Sequence, residues 1–478
     1  MSVAKTPARA RPVKPATRAL ALLAATSVAC SGMAPARAQP ANINAGVPMI
    51  RDTETEQLLR EYTTPILRAA GLAQQNIRVV IINNRAFNAF VMDGRRIFVN
   101  SGALLDSTTP NQIIGVLAHE TGHIAGGHLA KIREQLANIQ TATLIGMLAG
   151  AGAMIAGARS GGGAGGLAQA GAAAMVAPQE MARRSLLSYQ RAQEESADRA
   201  GVKFLTETGQ SARGMYETFK RFQDQIQFMA RDLDPYLQSH PLPAERVKAL
   251  ETLAKSSPLW DKKDSPELQL RHDLMRAKLA GYLERPETVA RRYPLTDTSL
   301  PARYARAIVG YRYYDIRNAL QQIDGLIQAQ PHNPYFHELK GQALLETGHP
   351  AEAIEPLRRA VSLAPNAPLI QVMLGQALVA SNNPKYADEA INLLRNALAR
   401  EPELSEGYTQ LAMAYGRKGD LAQADLASAQ AAFMRNDLKT ARELAARAKT
   451  RFAVGTPGWV KADDIVNVKP PQQQFGRR

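Results

Sequence analysis

The stretch from Gly115 to His128, GVLAHETGHIAGGH, constrains this chain more than any other part of its sequence. An apolar run precedes the first histidine and no proline interrupts the stretch, which predicts a helix. At 3.6 residues per turn, His119 and His123 lie one turn apart on one face of that helix. Two imidazoles so placed can chelate one zinc ion, and Glu120 beside them can act as a base on water. The alternative is an ordinary solvated helix surface, so a third protein ligand is needed to support the metal site.

His128 is the nearest candidate for that third ligand, but its spacing is unfavourable. It follows His119 by nine residues, about half a helical turn out of phase. It follows His123 by five residues, whereas the metzincin pattern requires six. We therefore expect His128 to have a structural or supporting role.

A better third ligand lies in the segment Ser188–Gly201, which also predicts a helix. Glu194 and Asp198 are one turn apart there, so both can face the first helix. We expect Glu194 to bind the metal and Asp198 to accept the free ring N–H of a ligand histidine. Glu195 points about 100° away from Glu194 and is less suited. Standing alone, this segment would suggest a solvated acidic helix face.

The charge of the chain restricts its partners. Its 478 residues carry a formal net charge of +15, with 58 basic and 43 acidic residues. Six of the basic residues and none of the acidic ones lie in residues 1–38. The excess that remains suits peripheral contact with an anionic membrane surface or acidic partners. No nucleic-acid partner is expected, because no basic-aromatic recognition motif accompanies the charge.

Residues 1–38 predict a signal peptide. A basic region ends at Arg18, an apolar stretch follows, and Ala36-Arg37-Ala38 is a small-x-small cleavage site. The apolar stretch is too short for a good membrane span. A lipoprotein at Cys30 is the less favoured alternative, because Ser27 stands where lipid-attachment motifs prefer leucine. We expect export to a bacterial periplasm, and removal of the leader takes away the only cysteine of the chain.

The region before the zinc helix predicts a helix and a small sheet. Residues 48–72 have helical periodicity with Pro65 inside, which should kink or divide the helix. Residues 77–82 read as a buried strand. Two short strands then flank the turn signal Asp93-Gly94. We expect Asn88, Ala89 and Phe90 to form an edge strand that pairs with an extended substrate, against the alternative of a purely structural hairpin.

Two segments on either side of Glu194 have less certain roles. Residues 140–185 are rich in glycine and alanine, and we interpret them as a mobile helical hairpin or flap near the cleft rather than as a membrane span. His240 lies on a loop, because Pro241 and Pro243 after it forbid a continuous helix. Three roles are open for it: a fourth zinc ligand that keeps the protein latent, an oxyanion donor, or a bystander. Arg246 either binds a substrate carbonyl or pairs with an acid.

The last part of the chain repeats with a period near 34 residues. Gly341 and Gly375 are 34 residues apart, as are Ala319 and Ala353. This period is typical of tetratricopeptide repeats, whose helix pairs bury their apolar faces only against neighbouring pairs and so form a superhelix. The proline- and glutamine-rich end of the chain predicts disorder.

These motifs together resemble the HtpX/CAAX-prenyl-protease type of zinc metallopeptidase. The resemblance lies in the His-Glu-x-x-His and Glu-x-x-x-Asp motifs, residues 88–102 and residues 240–246, and it covers most of the chain. With the leader and the repeats, the chain is most similar to the periplasmic branch that enhances β-barrel assembly. Gly126 and Gly127 depart from this family, where relatives commonly carry bulkier or basic residues, and this puts the role of His128 in doubt.

The resemblance implies a complete zinc site and a function. His119, His123 and Glu194 would bind one zinc ion per subunit, and Glu120 would be the general base. The implied clients are unfolded or misassembled outer-membrane proteins, with the outer-membrane barrel assembly machinery as a partner bound through the repeats. The competing function is a non-proteolytic tetratricopeptide chaperone or adaptor with a latent zinc site. The interpretation as an integral membrane protease is less favoured, because the chain has few long apolar spans.

We therefore expect an α+β zincin-type metallopeptidase domain followed by an all-α tetratricopeptide superhelix. The expected boundaries are a signal peptide at 1–38, the peptidase domain at 39–265, a helical linker at 266–300, the repeats at 301–453 and a disordered tail at 454–478.

Overall fold

The computed structural model describes residues 48–137, 140–141, 164–228, 240–241 and 243–468. The expected signal peptide and Cys30 lie outside the described residues, as do residues 142–163 of the expected flap.

A four-stranded mixed sheet lies in the first part of the described chain. Its strands are β1 (Met49–Ile50), β2 (Arg78–Ile82), β3 (Ala89–Val91) and β4 (Arg96–Asn100), in the order β1-β2-β4-β3. Strands β2 and β4 are parallel, and the other pairs are antiparallel. The predicted hairpin around Asp93-Gly94 is confirmed, and Gly94 takes the positive φ of 72° that its turn requires. Strand β3 is an edge strand of this sheet.

Helices cover the sheet and carry the predicted metal motifs. Six of these helices are α1 (Thr53–Ala69), α2 (Ser101–Asp106), α3 (Pro110–Ala125), α4 (Ala164–Glu207), α5 (Arg213–Phe228) and α6 (Ala244–Lys255), and residues 128–137 are also helical. Asp52 caps α1, and the predicted division at Pro65 does not occur, because α1 continues through it. Residues 164–185 of the expected flap begin α4, a single helix of 44 residues.

Helix pairs form the rest of the described chain. The helices are α7 (Pro266–Leu283), α8 (Pro286–Arg292), α9 (Leu300–Tyr313), α10 (Ile316–Ala329), α11 (Pro334–Glu346), α12 (Pro350–Leu363), α13 (Pro368–Ala380), α14 (Ala387–Arg400), α15 (Ser405–Lys418), α16 (Leu421–Met434), α17 (Leu438–Arg451) and α18 (Pro457–Asn467). A Cβ at Gly341 would lie 2.3 Å from Leu357 Cγ, and one at Gly375 would lie 2.7 Å from Leu394 Cγ. The repeated small residue therefore sets the close packing of α11 on α12 and of α13 on α14, and the expected fold class is confirmed.

The expected linker 266–300 is helical, and Met275, Val289 and Tyr293 pack it into the same core as the sheet and α3. One expected segment differs from the structure. The expected disorder of 454–478 is wrong for residues 457–467, which form α18. Thr456 caps this helix, and Ala462 and Ile465 are buried against α16 and α17. The polar end of the tail favours disorder, but the helical spacing of Ala462 and Ile465 gives residues 457–467 an apolar stripe that can be buried. Residues 469–478 lie outside the described part.

A buried charge cluster joins α1 to the helix pairs. Lys278 Nζ on α7 lies 2.5 Å from Asp52 Oδ2, 3.3 Å from Glu338 Oε2 on α11 and 3.6 Å from Glu54 Oε2 on α1. The Tyr304 hydroxyl on α9 donates to Glu54 Oε2 at 3.0 Å. One lysine and one tyrosine thus hold three carboxylates where the sheet-bearing part meets the repeats.

Within the described residues, no helix is both long enough and apolar enough to cross a membrane.

Candidate metal centre

Close helix packing brings the two predicted motifs together. His119 and Glu120 on α3 have no exposed surface. A Cβ at Gly122 would lie 2.8 Å from the carbonyl oxygen of Ala197 on α4, so glycine at this position lets the two helices approach. Gly201 contacts the backbone of His119 from the same side. Small residues in both motifs therefore place the acidic face of α4 directly over the two histidines.

Four side chains converge at this helix contact. The Nε2 atoms of His119 and His123 are 3.0 Å apart, and they lie 3.4 and 3.3 Å from the two carboxylate oxygens of Glu194. His240 Nδ1 lies 3.1 Å from Glu194 Oε2 and 3.4 Å from His119 Nε2. One donor atom from each of the four lies within 4.8 Å of the others.

Asp198 and Arg246 support this group from behind. Asp198 Oδ1 lies 2.9 Å from His119 Nδ1, the ring nitrogen that faces away from the cluster. Arg246 donates to both Asp198 oxygens at 2.7 and 2.8 Å and to the carbonyl of Pro241 at 2.9 Å. Its Nη1 is also 2.9 Å from Glu194 Oε2. Of the two roles open for Arg246, the structure shows the pairing with acids.

His240 occupies the space between the cluster and the edge strand. Its Nε2 lies 3.3 Å from the backbone carbonyl oxygen of Ala89 and 3.4 Å from Glu120 Oε1. The side chain is 5% exposed. This position leaves no support for the bystander role, because both ring nitrogens face groups of the site.

His128 approaches the cluster from the end of α3 without joining the four donors. Its Nδ1 lies 3.0 Å from His123 Nδ1, on the side of that ring opposite Nε2. The expectation that it is not a ligand agrees with this placement. The contact itself could not be predicted, because residues 123 and 128 would diverge on a continuous helix.

Burial and the neighbouring charges shift the pKa values of the site. Burial lowers the pKa of His119, but hydrogen bonds and charges from Asp198 and Glu194 outweigh it and raise the pKa to about 9. Burial lowers the pKa of His123 to about 3 and raises that of Glu120. Burial alone would raise the pKa of Glu194, yet the surrounding histidines hold it well below its ordinary value. A metal-free site therefore keeps its proton on His119, and a bound cation would displace that proton.

The donor set fits a zinc ion. Zinc prefers imidazole and carboxylate ligands in a group of four, and the residues provide three nitrogens and one carboxylate. Within the described residues, both carboxylate oxygens of Glu120 are buried without a hydrogen bond, and Oε1 lies 3.4 Å from His240 Nε2. Buried carboxylates are rarely left so, and a water or substrate beside the metal would satisfy them.

The edge strand presents its backbone to the same site. Asn100 N–H donates to the Asn88 carbonyl at 2.9 Å, so residues 88 and 90 bond to β4. The backbone groups of Ala89 and Val91 consequently point away from β4, and the Ala89 carbonyl faces His240. The free edge of β3 therefore borders the cluster.

Family models match both parts of the chain. The family model named peptidase family M48 matches residues 53–254, which include all the cluster residues. Residues 53–254 are a peptidase family M48 domain. A tetratricopeptide repeat model matches residues 335–367, where α11 and α12 lie. The chain thus combines an M48 domain with helical repeats.

Two curated relatives illustrate the similarity over most of the chain. The beta-barrel assembly-enhancing protease of Escherichia coli K12 is 24% identical over 337 residues, covering 67% of this chain and 64% of that protein. The protein of the same name from Yersinia pestis is 25% identical over 326 residues, with the same coverage. This chain therefore spans less than two thirds of the length of the relatives that it matches. Among solved structures, the crystal structure of MamA aligns with 34% of this chain and 90% of MamA at 18% identity, but a TM-score of 0.28 does not indicate a shared fold.

Proposed function

We propose that this chain is a zinc-dependent endopeptidase. The observation that carries the proposal is the convergence of donor atoms from His119, His123, Glu194 and His240 beside the buried carboxylate of Glu120, which accepts no hydrogen bond within the described residues. The M48 domain assignment supports it. A structural metal site needs no general base, so a buried glutamate beside the donor atoms favours hydrolysis.

The side chains have distinct roles in this proposal. A zinc ion bound by His119, His123 and Glu194 would supply a Lewis acid. Glu120 accepts the proton of the attacking water and later donates it to the leaving amine. Burial raises the pKa of Glu120, which brings this carboxylate closer to the pKa range suited to proton transfer. Asp198 holds the ring of His119 with its Nε2 towards the cluster.

The free edge of β3 is the proposed substrate site. An extended peptide can add to the sheet by bonding to the outward-facing backbone of Ala89 and Val91. A peptide bound there would lie next to the Ala89 carbonyl oxygen, which is itself 3.3 Å from His240 Nε2. Backbone pairing selects segments that lack secondary structure, so the substrates are unfolded chains.

His240 is proposed as a regulatory ligand. With its Nδ1 in the donor group, it completes four protein ligands and leaves no open position for water, which keeps the protein latent. Movement of His240 away from the cluster would open that position. The role left open beside this one is donation to the oxyanion, which predicts the opposite effect of its removal.

The location and the clients are also proposals. The leader at residues 1–38 favours the periplasm, and the name of the relatives favours clients among outer-membrane β-barrel proteins that are unfolded or misassembled. The repeats are the proposed surface for docking to the barrel assembly machinery, and the basic excess of the chain suits peripheral membrane contact.

The test compares zinc content and cleavage of an unfolded β-barrel protein by the wild type and the Glu120→Gln variant. We expect about one zinc per chain in both proteins and a loss of cleavage of at least ~10²-fold in the variant, because only the base is removed. Glu195→Gln is the matched control, because Glu195 is exposed on the same helix as Glu194. This variant should cleave the client at the wild-type rate.

The His240→Ala variant separates the remaining outcomes. Faster cleavage than wild type supports latency, whereas slower cleavage supports the oxyanion role. If none of the proteins cleaves but all suppress aggregation of the client, the chain is a chaperone and the endopeptidase proposal is wrong.

A further inference from the structure

The proposed reaction assigns no role to His128 or to the two glycines before it. Helix α3 ends at Ala125, and Gly127 then takes a positive φ of 62°. The chain turns there and becomes helical again over residues 128–137. This turn folds His128 back towards α3, where its side chain is 4% exposed. The contact between residues 123 and 128 therefore depends on the left-handed residue between them.

The space that His128 occupies exists because residue 126 is glycine. A Cβ at Gly126 would lie 2.2 Å from Nε2 and 2.6 Å from Cδ2 of the His128 ring. Any side chain at this position would therefore displace the ring. Gly126 and Gly127 thus have different functions: one makes room for the ring and the other turns the chain.

The His128 ring meets His123 at the nitrogen that a metal would leave free. The two Nδ1 atoms are 3.0 Å apart, and the rings meet edge to face at 83° with centroids 5.0 Å apart. To bind a metal through Nε2, a neutral imidazole must carry its proton on Nδ1. His123 would then donate that proton to His128 Nδ1, which fixes both the tautomer and the plane of the ligand ring.

We propose that His128 is a positioning residue for the metal ligand His123, seated by the glycine at position 126. It does for His123 what Asp198 does for His119, with a neutral acceptor instead of a carboxylate. The inference rests on the proposed metal site and assigns a function to Gly126 and His128.

Zinc affinity tests this proposal without relying on catalysis. Purified full-length protein and its variants would be titrated against a chromogenic chelator, and the visible spectrum of the cobalt(II) form would report the ligand geometry. We expect His128→Leu to raise the zinc dissociation constant roughly 10- to 100-fold, the usual effect of losing a partner of a ligand histidine. His128→Asn should remain within about threefold of wild type, because its amide oxygen can accept the same hydrogen bond.

Gly126→Ala should weaken zinc binding as much as His128→Leu does, by displacing the ring. In a His128→Ala background the same glycine substitution should change affinity less than about twofold, since no ring remains to be displaced. His332→Leu and Gly416→Ala are the controls: His332 is exposed in the repeats, and a Cβ at Gly416 meets nothing within 4 Å.

The variants distinguish positioning of His123 by His128 from simple packing. Wild-type affinity and an unchanged cobalt spectrum in both His128→Leu and Gly126→Ala would overturn the positioning role. Equal losses in His128→Asn and His128→Leu would overturn it as well, because packing alone would explain them. If Gly126→Ala does not fold, the comparison of the asparagine and leucine variants still decides. Absence of zinc in the wild type would instead refute the proposed function and this inference with it.

Discussion

At the residue scale, one arginine neutralises two buried carboxylates. Arg246 is 4% exposed and contacts both Asp198 and Glu194. Breaking a buried ion pair by removing one partner typically costs about 3–5 kcal/mol, because the other charge stays buried and uncompensated. The stability of the metal-free site therefore depends on Arg246 together with the protonated ring of His119.

We expect Arg246→Met to lower the free energy of unfolding of the metal-free protein by about 3–5 kcal/mol. Urea denaturation of the wild type and the variant measures the difference. Arg199→Met on the same helix as Asp198 is the control, because Arg199 is exposed and its ion pair should contribute less than about 1 kcal/mol. A loss below about 1 kcal/mol in the Arg246 variant would show that the pair does not hold the site together.

At this scale, the sequence predicted part of the site. The helical spacing of His119 and His123, and of Glu194 and Asp198, was sufficient to place these residues on facing helices. The position of His240 relative to the donor residues could not be predicted, because the loop that contains it, Pro241 and Pro243 has no helical or strand periodicity. The partner of His128 could not be derived either, because the turn at Gly127 removes the register on which such an argument relies.

At the scale of elements, the distance between α3 and α4 determines whether the metal donors can meet. Gly122 lies against Ala197 with no room for a methyl group, since a Cβ would be 2.8 Å from the Ala197 carbonyl oxygen and 3.0 Å from its Cα. These are backbone atoms, so relief requires the helices to separate. Glu194, one turn before Asp198 on α4, would move away from both histidines.

We therefore expect Gly122→Ala to weaken zinc binding by at least about tenfold, in addition to any loss of stability. Zinc affinity of the folded variant, measured by chelator competition, tests this. Gly416→Ala in α15 has open space and should instead be neutral or stabilising by up to about 1 kcal/mol. Unchanged zinc affinity in Gly122→Ala would mean that the site tolerates a wider helix spacing.

The edge strand gives a second prediction at this scale. Val91→Pro removes an N–H that points away from β4, so the ladder to β4 should survive while backbone pairing with a substrate is lost. We expect KM for an unfolded protein substrate to rise with little change in zinc content. Phe90→Pro removes a ladder N–H and should instead destabilise the sheet. Normal KM in Val91→Pro would exclude the edge strand as the substrate site.

At the scale of the whole molecule, the buried cluster around Lys278 links the M48 domain to the repeats. Burial, opposed by Lys278 and assisted by Asp52, raises the pKa of Glu54 to about 7. Glu338 also faces the cluster from α11, and Tyr304 donates to Glu54 from α9. The sequence could not predict this cluster, because its members come from helices far apart in the chain and each has the local signature of a solvated helix residue.

The raised pKa of Glu54 predicts a pH dependence of stability. In the unfolded chain a glutamate titrates near its ordinary pKa of about 4.3. Between that value and about 7 the folded protein holds a proton that the unfolded chain has released, so this residue's contribution to stability falls as pH rises through that window. Glu54→Gln should remove this pH dependence. Each protein is compared with its own stability at low pH, and the variant should then lose less stability than the wild type as the pH rises. Urea midpoints from pH 4 to 8 test it, with Glu61→Gln on the same helix as control; parallel curves for the wild type and Glu54→Gln would contradict the prediction.

The hydrogen bond between Arg246 and the Pro241 carbonyl sets a minimum free-energy preference for the proposed latent state. A hydrogen bond from a charged donor contributes about 1.5–3 kcal/mol. Because each 1.4 kcal/mol changes a population ratio tenfold, this bond alone would favour the seated position of residues 240–241 by roughly 10- to 150-fold. Ligation of zinc by His240 would favour the seated position further, so a resting sample would hold at most on the order of 1–10% of its molecules in the open form. A client would activate the protein by binding that minor form more tightly than the closed one.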